Sequence, residues 1–64
     1  MTAESAQKIR ELEADRKGAQ ERLYQQFLST RMTVQEYENR VRQIDIKFAR
    51  DEAVIILDAI MQNQ

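Results

Sequence analysis

The sequence predicts an all-α fold, a two-helix antiparallel hairpin that dimerises into a four-helix bundle. Three observations predict it. Apolar residues recur at helical spacing in two stretches, a helix-capping signal stands between them, and the 64 residues include no proline and one glycine. The chain, 1–64, is expected to form one domain, with helix one over about 4–28, a turn over 29–32 and helix two over about 33–62.

Helix one rests on Ile9, Leu12, Ala19, Leu23 and Phe27, separated by three, seven, four and four residues. That spacing marks one face of a helix and fits no alternating strand. Arg16 fills the apolar slot between Leu12 and Ala19, where its stem covers the seam while its head reaches water. With Gly18 beside it, the middle of this helix is expected to be its weakest part. Tyr24 and Leu28 widen the apolar face next to the turn.

Thr33-Val34-Gln35-Glu36 has the form of a capping box. The threonine hydroxyl accepts from the Glu36 N–H, and the Glu36 carboxylate reaches back to the Thr33 N–H. Met32 and Tyr37 add a hydrophobic staple around the cap. Helix two then carries Val34, Tyr37, Val41, Ile44 and Phe48 at spacings of three, four, three and four, with Ile55 seven residues further on. This is a coiled-coil-like seam. The expected hairpin core is therefore Ile9, Leu12, Leu23 and Phe27 against Val34, Tyr37, Val41, Ile44 and Phe48. Past Phe48, residues Val54, Ile55, Ile56, Leu57, Ile60 and Met61 cover most of the helix circumference, more than one partner helix can bury. Burying a large aliphatic is favourable by roughly 1.5 to 3 kcal/mol, so this segment is the expected subunit or partner interface.

Composition sharpens the same expectation. A chain of 64 residues buries too little surface for a comfortable stability margin, and it has no cysteine or histidine for a disulfide or a structural zinc site. Association is the remaining aid, most simply as a homodimer. Hydrophobic residues at 42% and charged residues at 33% fit a helical protein rather than a disordered one. A net charge of −1 sets up no field toward nucleic acid or anionic lipid. The amino-terminal stretch is polar where a signal peptide needs an apolar core, and the Ala53–Met61 run is far short of the roughly 20 residues that cross a bilayer. No membrane insertion and a cytoplasmic location are expected, in keeping with the missing cysteine.

From Asp15 onward the chain resembles the SHOCT-like short helical domains, particularly those at the amino terminus of actinobacterial membrane proteins. Ala14-Asp15-Arg16, Leu23, the turn Arg31-Met32-Thr33 leading into Glu36-Tyr37, Arg40, Ala49-Arg50 and Leu57-Asp58 carry the resemblance, over about two thirds of the chain. It departs from the pattern at Thr30, where the family has a glycine, and at Asp51, where the family has a threonine that restarts a short third helix. Asp51 is itself a capping residue, so a break of helix two near Arg50, with the apolar tail folded back, stays open beside a continuous helix. The resemblance implies a small interaction or oligomerisation module and carries no catalytic residues.

The residues themselves agree with that implication. Asp51 and Asp58 share a helix face about 10 Å apart, a separation that suits a solvated surface better than a cation site or an acid/base pair. No glycine-rich loop or activated nucleophile stands out, so neither enzyme activity nor a cofactor is expected. Arg40, Arg42, Lys47 and Arg50 form a basic cluster, the contact surface if the protein bound nucleic acid, with Arg40, Lys47 and Arg50 on a broad shared face. Glu36, Asp51 and Asp58 lie on that face too. Pairs four apart, such as Glu36–Arg40, Lys47–Asp51 and Glu4–Lys8, point to an exposed, charge-laced surface. The aromatics Tyr24, Phe27, Tyr37 and Phe48 fall on or beside the seam and read as core. The functional expectation is a non-enzymatic protein-protein interaction module, an adaptor, small regulator or scaffolding factor. A dimeric nucleic-acid-binding regulator using Arg40, Lys47 and Arg50 is the alternative.

Overall fold

The structure, a computed structural model, describes residues 2–62. Met1, Asn63 and Gln64, the ends of the expected domain, lie outside the described residues. Two helices, α1 (Ala3–Ser29) and α2 (Val34–Gln62), pack along each other as an antiparallel hairpin. The described residues contain no strand.

Each helix begins on a threonine. Thr2 caps α1: its Oγ1 accepts from the Ser5 N–H at 3.1 Å, and its hydroxyl donates to Ser5 Oγ at 3.0 Å. At the other end Ser29 and Thr30 take the place of a terminal glycine. The Thr30 N–H and hydroxyl both donate to the Gln26 carbonyl, at 3.0 and 2.7 Å, and the Ser29 hydroxyl donates to the Gln25 carbonyl at 2.9 Å. Past these bonds α1 ends in extended backbone at Thr30, and no described residue adopts a positive φ.

Thr33 starts α2, its Oγ1 accepting from the Glu36 N–H at 3.1 Å. Only this half of the capping box forms among the described residues. Thr33→Ala is expected to destabilise the hairpin by about 1 kcal/mol, read from urea unfolding followed by circular dichroism. An unchanged midpoint would show that the turn does not depend on the cap.

Helix α2 runs through Arg50 and Asp51 without a break, so the described residues hold no third helix. The closed end of the hairpin is set by aromatics, with the Phe27 and Tyr37 rings 4.7 Å apart and Tyr24 meeting Tyr37 edge-on at 6.5 Å. In the middle, Arg16 Nη2 and Nε lie 3.0 and 3.2 Å from Asp45 Oδ1, and Gln20 Nε2 donates to the same oxygen at 3.0 Å. The Arg16 head therefore reaches across to α2 while remaining partly in water. Both side chains of the pair are nearly half exposed, so it contributes at most about 1 kcal/mol, but it fixes the register where the apolar seam of α1 is interrupted.

The core is thin. Among the described residues the buried apolar ones are Leu23, 6% exposed, and Ala59, and none of their large side chains is fully enclosed. Ile9, Leu12, Phe27, Tyr37, Val41, Ile44 and Phe48 are half-buried along the seam. At the open end the small residues Ser5 and Ala59 are buried. Val34 is a correction to the expected core, since it is 61% exposed. The Phe27–Tyr37 contact places it opposite Thr30, where α1 has already ended, and no helix faces it.

Candidate interaction surface

Two helices side by side make one layer, and the Cα extents of 50 × 17 × 8 Å show it. The radius of gyration is 15.0 Å, against about 11 Å for a compact domain of this length. The chain exposes 5302 Å², about 1000 Å² more than a compact monomer of 7.6 kDa exposes. Stable domains ordinarily stack two layers, so a single layer leaves faces available for association.

The six residues expected to form the carboxy-terminal interface divide between two sides of α2. Ile55 and Ile56 are half-buried, and Ile55 lines a small crevice with Ser5 and Lys8 of α1. They belong at least partly to the hairpin, a correction that follows from the unbroken helix: Ile55 stays in phase with Tyr37 and Phe48. Val54, Leu57, Ile60 and Met61 are exposed, with Leu57 at 57% and Ile60 at 51%.

Ile46, absent from the sequence expectation, joins them at 53% exposed. At about 100° per residue, Ile46, Ala53, Leu57 and Ile60 form a second apolar stripe roughly 160° around α2 from the α1 seam. The signal was present in the sequence, in the separations of seven, four and three. It was hidden because Ile46 is isolated among polar neighbours and Ala53 is small. Helix α2 thus has an inner stripe that α1 covers and an outer one that no described residue covers.

The basic cluster is divided too. Arg40 and Lys47 line a shallow groove on one broad face together with Arg22 of α1, and Glu36, Gln26 and Gln43 share it. Arg50 is not part of that groove. Among the described residues the expected lacing of charges is largely unformed: of the pairs four apart, Glu4–Lys8 closes at 3.6 Å, and Lys47 sits 5.4 Å from the centre of the Phe48 ring. Long exposed side chains lose rotamer entropy when they pair in water, which offsets most of the gain. No group of three or more acidic residues converges as a metal site among the described residues. None of their helices is long and apolar enough to cross a membrane.

No protein-family model, curated protein or solved structure matches the chain. The outer stripe and the groove are therefore read on their own chemistry.

Proposed function

We propose that this chain is a non-enzymatic association module that pairs with a second copy of itself through the outer face of α2. The observation that carries the reading is the exposed stripe of Ile46, Leu57 and Ile60 on a one-layer hairpin with about 1000 Å² of surplus surface. Surplus area of that size is close to the roughly 800 Å² that each partner buries in a standard interface. The resemblance to SHOCT-like domains accords with such a role, and the cysteine-free sequence suits a reducing cytoplasm. As a dimer, the chain presents two hairpins in fixed relation, which is what an adaptor or scaffolding element needs.

Association linked to folding makes stability depend on concentration. The melting temperature is expected to rise steadily as the protein is concentrated from low to high micromolar. A melting temperature that stays constant over that range would contradict the proposal.

One observation favours a second reading, polyanion binding: Arg22, Arg40 and Lys47 line the same groove. Glu36 in that groove and the net charge of −1 oppose it. Retention on heparin that falls steeply with salt would support this alternative, because phosphate-type binding releases counterions and helix docking does not.

A further inference from the structure

The arrangement of the outer stripe specifies how two copies meet. Counted from Ala53, Ile46 lies seven residues before and Ile60 seven after, while Ala49 lies four before and Leu57 four after. With Ala49, which borders it, the stripe is symmetric in spacing about Ala53. A surface of that kind is self-complementary under a two-fold axis, which is the symmetry of an isologous dimer. We infer that two chains pair antiparallel through α2, with the two-fold axis at Ala53, giving the row α1, α2, partner α2, partner α1.

Size complementarity fits this arrangement. Ile46, Ala49, Arg50 and Ala53 are at the spacings zero, three, four and seven that outline a hole on a helix surface. The antiparallel register drops Leu57 of the partner subunit into that hole, and the symmetry repeats the contact. Two of its four corners are alanine, so the hole is deep enough for a leucine and the helices approach closely, at the short end of the usual 8–10 Å. Ile46 meets Ile60 of the partner subunit at both ends of a contact about 21 Å long. The Arg50 stem borders the hole while its guanidinium is free to reach water.

The broad faces are poorer candidates. One carries Arg22, Arg40 and Lys47 with Asp15, Glu36 and Asp51, and Asp45 with its Arg16 and Gln20 partners lies toward the other. Stacking either face on a copy of itself would take these charged groups out of water, a cost the apolar outer stripe does not carry. Under this inference the four helices of the dimer form a row. A parallel pairing of the stripes is also disfavoured, because it sets Ala49 on Ala49 and Leu57 on Leu57 and leaves alternating gaps and crowding.

The inference rests on the proposed self-association, and cysteine cross-linking separates the two claims. The native chain has no cysteine, so a single introduced thiol reports one position. Ala53→Cys, oxidised at a concentration where light scattering shows a dimer, is expected to form a disulfide-linked dimer at least about tenfold faster than Ala14→Cys, an exposed position on α1 away from the α2 stripe. A mixture of Ile46→Cys and Ile60→Cys chains is expected to give mainly the mixed dimer. Light scattering of each variant before oxidation confirms that it still pairs. If the chains are dimeric yet Ala53→Cys links no faster than Ala14→Cys, the two-fold at Ala53 is overturned while self-association stands. Preferential linking of Ile46→Cys to itself overturns the antiparallel direction. A monomer throughout, whether or not it captures a foreign helix, overturns both claims.

Discussion

Replacing Leu23 by alanine is expected to destabilise the hairpin by about 2 to 5 kcal/mol, enough to leave it largely unfolded at room temperature. Leu23 is the one large apolar side chain buried among the described residues. It sits between the aromatic contacts at the closed end and the Arg16–Asp45 pair, so the elements around it are tied in place and cannot easily close the cavity. Phe48 has the larger side chain and an equally regular seam position, but it is only half-buried and keeps part of its ring toward water beneath Lys47. Phe48→Ala should therefore cost less than Leu23→Ala, although volume alone ranks them the other way. Urea unfolding of both variants at one protein concentration checks the order. The reverse order would mean that the hairpin is shifted in register.

The second large effect is expected on association. Leu57→Glu should weaken dimerisation at least about 100-fold, or about 2.7 kcal/mol, because it places a carboxylate in the hole formed by Ile46, Ala49, Arg50 and Ala53. The hairpin itself should keep most of its helicity, since Leu57 makes little use of α1 and glutamate is nearly as good a helix former as leucine. Ile60→Glu should behave alike. Ile55→Glu is the contrast: that side chain is half-buried in phase with the inner seam, so helicity should fall together with mass. Light-scattering mass and circular dichroism on the three variants distinguish an outer interface from an internal core. If Leu57→Glu and Ile60→Glu keep the dimer mass, the interface lies elsewhere.

What the sequence made legible was local or periodic. The hairpin followed from two stripes of helical spacing, and the start of α2 followed from Thr33 and Glu36, whose hydrogen bond spans three residues and needs no tertiary context. Thr2 with Ser5 gives a similar cap at the start of α1, where no residue of the apolar stripe lies close enough to mark the boundary. What stayed hidden depends on register. Arg16 finds Asp45 only once the two helices are aligned, and Val34 loses its expected partner because α1 ends before reaching it. The carboxy-terminal apolar run was recognised as surplus, but its division into inner and outer stripes required knowing that α2 continues through Asp51. A break there would have changed the phase of every residue after it.

Sedimentation equilibrium of the unmutated chain, from low to high micromolar concentration, tests the pairing of two copies most directly. The expected result is a weight-average mass rising from near the monomer value of 7.6 kDa toward twice that value, with helicity highest where the mass is highest. A fully helical species that stays at 7.6 kDa across the whole range would contradict it.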